Sequence, residues 1–126
     1  MGDIADEEQV EAIRGGVATW KRWKEENPRK RPDLRGATLT GLNLEGINLN
    51  GARLVETDFE FCNLRKANFA GADLTRANLS NTDLTDAIFL NANLQGARLT
   101  GATVTRADFR GANVAGADLR QIKRGL

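Results

Sequence analysis

The sequence has no histidine and no tyrosine, a single cysteine and two prolines, and only 6% of its residues are aromatic. Without histidine, the commonest general base and the commonest metal ligand are missing. The lone Cys62 cannot form an intrachain disulfide, so no covalent staple is available. Charge of either sign is not in excess. Eighteen bases against seventeen acids give a formal net charge of +1, which argues against a strongly basic nucleic-acid binder and against an acidic tail. No apolar run is long enough to cross a bilayer, and the first residues show no signal-peptide core. A cytoplasmic protein with no membrane attachment is expected. The length of 126 residues suits one compact unit.

What the sequence does have is a period. Residues 32–121 divide without insertion into about 18 units of five, among them ATLTG, LNLEG, CNLRK, ANFAG, ADLTR, ANLQG and ADFRG. The third place of each unit is large and apolar: Leu in most units, Phe at Phe59, Phe69, Phe89 and Phe109, Val at Val104 and Val114. The first place is small, mostly Ala, with Thr57, Cys62 and Thr82 as variants. First and third places lie two apart, so in extended backbone both face one way. The remaining places are largely polar, and the fifth is Gly in about half the units, which suits a tight corner. Each unit therefore reads as a short strand and a corner, unable to bury its apolar side alone and able to do so in a stack.

Charge sets the number of units per circuit. Neighbouring chains in a parallel stack lie about 4.8 Å apart, and like charges placed side by side are unfavourable. At a spacing of fifteen Glu45 would meet Glu60, and at twenty-five Asp33 would meet Asp58. At twenty every charged pair is of opposite sign: Asp33 with Arg53, Glu45 with Arg65, Glu56 with Arg76, Asp86 with Lys66 and Arg106, Arg98 with Asp118. Phe69, Phe89 and Phe109 also align at twenty. The expectation is an all-β solenoid, a square tube with four units per coil and about 4.5 coils, roughly 22 Å long.

The leading residues lack the period. Asp6-Glu7-Glu8-Gln9 has the form of a capping box, and Val10, Ile13, Val17 and Trp20 recur at helical spacing. Acids gather at the start of this stretch, and Lys21, Arg22 and Lys24 near its end, as the helix dipole favours. Gly15-Gly16 weakens the middle. One capping α-helix over residues 6–26 is expected, its stripe of Val10, Ile13, Val17 and Trp20 lying over the otherwise open first coil. The boundaries are a cap and linker at residues 1–31 and the repeat at residues 32–126. The triplet Arg29-Lys30-Arg31 reads as a solvated linker, not a nucleic-acid patch.

The run A(D/N)LxG, seen in ANLQG and ADLTR, resembles the pentapeptide repeat family over about 90 of the 126 residues. The leading segment, with Trp20-Lys21-Arg22-Trp23 shortly before Asn27-Pro28, resembles the N-terminal helix of small bacterial members, notably cyanobacterial ones. The resemblance implies a right-handed quadrilateral β-helix. It also implies, for some members, dimerisation through the C-terminal ends, and for others mimicry of DNA in binding the type II topoisomerase DNA gyrase.

Candidate chemistry is thin. The carboxylates fall on outward places of a convex tube that offers no cleft for a paired acid and base, so no enzyme, no small-molecule substrate and no cofactor are expected. Cys62 stands at an inward first place and reads as a structural thiol. The Asp and Asn residues lack the glycine-rich pattern of calcium solenoids, so no metal is expected. The positions that break the pattern point to a protein partner: Ile88 and Leu90 at outward places beside Arg110, and Phe61 at a corner. The tail from Gln121 breaks the repeat, with Arg124 at a core place, and leaves the last coil thinly covered; a homodimer through the C-terminal coil is expected. The leading functional expectation is a non-enzymatic structural or protein-interaction module. The alternative, a DNA-mimicking gyrase binder, needs a strongly negative surface. About ten acids and eleven bases from residue 32 onward do not supply one.

Overall fold

The structure, a computed structural model, describes residues 5–125; the first four residues of the expected cap and Leu126 lie outside the described residues. Second-place residues form parallel bridges with the residue twenty further on, from Asp33 with Arg53 through Asn78 with Arg98 to Thr103 with Lys123. The circuit therefore closes after four units. The anticipated short strands reduce to single bridge residues between turns, because a corner follows every fifth residue and leaves no room for a longer ladder.

One unit shows how the backbone is satisfied. The Ala72 N–H donates to the Phe69 carbonyl, closing the preceding corner. The Asp73 N–H donates to Ala52 in the coil before, and Leu74 and Arg76 donate to Asn93 and Gln95 in the coil after. The Thr75 N–H would be left over, and the Asp73 side chain takes it at 3.1 Å. All five donors are paired, as a packed backbone requires. This last bond explains the Asp and Asn at second places, which do more than face solvent on the outer wall. It recurs from Asp33 to Arg35, from Asn63 to Arg65 and from Asp118 to Arg120. It is an Asx turn, in which a short side chain mimics a backbone carbonyl.

The corners share one conformation. Every fifth place from Gly36 to Gln121 has φ between 54° and 74°, whether the residue is Gly or not. With the hydrogen bond that closes the turn three residues on, this is a type II turn, whose third residue must be left-handed. Glycine adopts that conformation freely, whereas Lys66 (φ 60°) pays for a crowded Cβ. Lys66→Gly should therefore raise stability by about 0.5–1 kcal/mol, after allowance for the greater entropy of unfolded glycine. A chemical melt measures this directly; a loss of stability would contradict the assigned turn.

The interior is filled. Third-place side chains from Leu34 to Leu99 are buried, and the Phe69, Phe89 and Phe109 rings stack nearly parallel at 4.9 and 4.8 Å. Phe59, on the opposite wall, meets Phe69 edge-on at 5.9 Å. The polar variants at first places find partners: the Thr57 and Thr82 hydroxyls donate to the Leu34 and Leu79 carbonyls, and the Cys62 thiol to the Leu39 carbonyl. Burial is the main influence on the Cys62 thiol and pushes its pKa up, which suits an inert structural cysteine.

The expected single helix is two, α1 (Glu7–Arg14) and α2 (Val17–Glu26). Gly15-Gly16 does more than weaken the middle. Gly16 has φ 103°, a value that breaks the helix and lets both pieces lie over the first coil. The expected capping box is also only half formed. The Asp6 carboxylate accepts from the Glu8 and Gln9 N–H groups, but the Gln9 side chain does not return to Asp6. It is buried and accepts instead from the Asp33 N–H at 2.6 Å. Ile13, Trp20 and Trp23 are buried, whereas Val10 and Val17 are partly buried at the margin of the core.

Candidate functional site

At the N-terminal end, each second-place carbonyl of the first coil lacks the N–H that a preceding coil would give. The cap supplies substitutes. The Asp6 N–H donates to the Asp33 carbonyl, the Arg14 guanidinium to Thr38 at 2.7 Å, and the Trp20 indole N–H to Asn48 at 2.9 Å. Gln9 and Arg14 were not among the expected cap residues. Their signal was weak, since polar side chains on an amphipathic helix ordinarily face water.

The walls carry polar ladders and ion pairs, which are mostly exposed and partly buried at Asp33–Arg35. Of the expected pairs at twenty, Glu56–Arg76 forms at 3.6 Å and Asp86–Arg106 at 2.8 Å. Others are replaced by different partners: Asp33 with Arg35 and Asp118 with Arg120 within one unit, and Arg65 with Asp83 in the next coil. A fourth-place Arg lies beside the second-place Asp of its own unit, and the Asx turn already aims that carboxylate toward it. Opposite charges twenty residues apart thus mark the right circuit, although several of them pair elsewhere. The hydrogen-bonded guanidinium beside Asp33 holds its carboxyl below the ordinary value, and the same cause acts on Asp86, Asp108 and Asp118. A depressed carboxylate stabilises the fold above its unfolded pKa and ceases to do so as pH falls through the folded one. The melting temperature should hold steady from neutral pH to about 5 and fall below about pH 4. A fall that began on the alkaline side would contradict these assignments.

The pattern-breaking residues do not form one site. Ile88 bridges between Asn68 and Asp108, so Ile88, Leu90 and Arg110 share a wall. Ile88 and Leu90 are 38% and 37% exposed. The Arg110 guanidinium is held by Asp108 at 2.7 Å. Phe61, 63% exposed, stands at a corner of a different side of the circuit, between Gly41 and Asn81. Ile88 also interrupts the Asx series, and the Leu90 N–H has no partner among the described residues.

The C-terminal end is the larger irregularity. Val114 and Leu119 occupy core places yet are 40% and 42% exposed, and Phe109 is only partly buried. With Leu99, Val104 and Ile122 they line a hollow edged by Arg106 and Arg124. No cluster of potential metal ligands and no helix long and apolar enough to cross a membrane occurs among the described residues.

Fold and surface together define a β-solenoid built on a five-residue unit, with a two-helix cap on one end. The family profile described as "Pentapeptide repeats (8 copies)" matches residues 33–69, 52–89 and 87–123. The chain belongs to the pentapeptide repeat family. Among solved structures it is similar to the pentapeptide repeat protein Rfr23 from the cyanobacterium Cyanothece 51142, with 33% identity, a TM-score of 0.67, and coverage of 77% of this chain and 63% of that one. It is also similar to HetL, a pentapeptide repeat protein involved in heterocyst differentiation regulation in the cyanobacterium Nostoc sp. strain PCC 7120, with 28% identity, a TM-score of 0.60, and coverage of 73% and 46%. The chain thus spans less than two thirds of the length of either relative. No curated protein matches it in sequence. Members of this family are in general structural or interaction modules.

Proposed function

We propose that the protein is a non-enzymatic module that binds another protein through its outer surface, with residues 32–126 as the binding tube and residues 1–31 as its cap. The supporting observation is a filled interior, which puts whatever the chain offers to a partner on its walls and at its open end. The coil is taken to be right-handed, as in the family, and the module cytoplasmic; a stack held without disulfides supports that location. The wall of Ile88, Leu90 and Arg110 is one contact, and Phe61 is a second, separate one.

Ile88 is informative because a residue of the usual type would serve the fold better. Asn there would accept from the idle Leu90 N–H and restore the Asx turn in this unit. Ile88→Asn should leave stability unchanged or raise it by up to about 1 kcal/mol while weakening partner capture. The experiment is site-specific photocrosslinking in the native host, with the reactive residue at Leu90 or, as control, at Glu45 on the next wall. Adducts from position 90 alone are expected. Equal labelling from both, or none from 90, would overturn the wall assignment.

Gyrase binding by DNA mimicry finds no support in the balanced charge of the tube, and no inhibition of supercoiling is expected at low micromolar protein. A homodimer through the C-terminal coil has one observation in its favour, the exposure of Val114 and Leu119. The chemistry of that end favours another occupant.

A further inference from the structure

We propose that the C-terminal end of the tube is a docking edge for an extended, acidic segment of a partner protein, whose apolar side chains pack on Val114 and Leu119. The proposal rests on reading the chain as a binding module and gives the partner a chemistry.

The two ends of the tube differ. At the first coil, Asp6, Arg14 and Trp20 meet second-place carbonyls with donors. At the last coil, the third- and fifth-place N–H groups between Phe109 and Gln121 have no acceptor among the described residues. In every inner coil these same groups donate upward, as Leu74 does to Asn93 and Arg76 to Gln95. Among the described residues fewer acceptors are open along this edge: the first-place carbonyls of Ala107, Ala112, Ala117 and Ile122 receive no donor. The edge therefore has a surplus of donors, spaced two residues apart along each side. That spacing matches the carbonyls of an extended chain laid beside it, the geometry of strand addition.

Charge points the same way. Residues 104–125 hold five bases (Arg106, Arg110, Arg120, Lys123 and Arg124) and only two acids (Asp108 and Asp118), in a chain whose net charge is +1. Asp86, Asp108 and Asp118 engage the first three, whereas Lys123 and Arg124 form no ion pair among the described residues. Arg124 stands at a third place and lines the hollow, so this edge carries a charge where the inner coils carry leucine or phenylalanine. A second copy of the chain fits the edge poorly. Two identical edges would bring donor surplus against donor surplus, and like charge against like charge. An acidic extended segment satisfies the donors, the cations and the exposed apolar places together.

The test uses the full chain and two fluorescent peptides, acetyl-(Glu-Val)3-amide and acetyl-(Lys-Val)3-amide, with binding read by anisotropy. The Glu peptide should bind at least about tenfold more tightly than the Lys peptide, and less tightly as salt rises. The double variant Lys123→Glu/Arg124→Glu, shown to be folded by its unchanged melt, should lose at least about tenfold and reverse the preference. Hydrogen exchange with the Glu peptide bound should slow the amides of Gly111, Val114, Gly116 and Leu119. Equal binding of the two peptides, no binding of either, or protection elsewhere would overturn the proposal. So would a free chain that is already a dimer by light scattering, with these amides slow. Failure here alongside specific crosslinking from Leu90 would leave the binding-module reading standing and remove only this edge.

Discussion

Leu79→Lys is expected to abolish folding, while Asn78→Lys, one residue away, is expected to cost only about 0.5–1.5 kcal/mol. Leu79 is fully buried at a third place in the middle of the tube, and its N–H is locked to the Arg98 carbonyl at 2.7 Å. An ammonium there would have no partner and no water, a cost of several kcal/mol or more. Such a cost is comparable to the whole stability of a small protein, about 5–15 kcal/mol. Asn78 faces outward, where a lysine is easily solvated. It does more than face solvent, however: its side-chain oxygen accepts from the Ser80 N–H at 3.0 Å, and that bond is what the substitution loses. Thermal melts by circular dichroism compare the two directly. Similar melting temperatures would contradict the inward and outward assignment.

Trp20→Ala should be the most damaging change in the cap, costing about 3–5 kcal/mol. Trp20 is 1% exposed, stacks on Trp23 with ring centroids 5.1 Å apart, and gives its indole N–H to the Asn48 carbonyl. Truncation would empty the space over the first coil and leave that carbonyl unpaired. Because a stacked array is held by neighbour contacts, the loss should be felt first at the near end. Amides of the first coil should exchange faster than those near Leu84. Trp20→Phe separates the two contributions: it keeps a ring and loses the donor, and should cost about 1 kcal/mol plus a smaller packing loss. A Trp20→Ala protein as stable as the parent would show that the helices are ornamental to the tube.

The tube was legible because its signal is repeated. One misread unit among many does not alter the period, and like-charge avoidance at fifteen and twenty-five selected the circuit even though only Glu56–Arg76 and Asp86–Arg106 of the named pairs form ion pairs. The Phe69, Phe89 and Phe109 column was readable for the same reason. Single events were harder. The helix break at Gly16 depends on how α1 and α2 must lie over the first coil, which no local pattern records. The role of Gln9 depends on Asp33, twenty-four residues away. The second-place Asp and Asn were visible as a pattern, but their purpose emerges only when the five N–H groups of a unit are followed to their acceptors. The candidate contacts were read as exceptions to the period. The structure separates Phe61 from Ile88 and Leu90, because their units, 57–61 and 87–91, lie thirty residues or a circuit and a half apart.

Scalar couplings across hydrogen bonds, measured in isotope-labelled protein, test the twenty-residue circuit most directly. The amide nitrogens of Leu74, Leu79 and Leu84 should couple to the carbonyls of Asn93, Arg98 and Thr103, each nineteen residues ahead. Coupling from Leu74 to Ile88 or to Arg98 instead would mean three or five units per turn, and the arrangement described would be wrong.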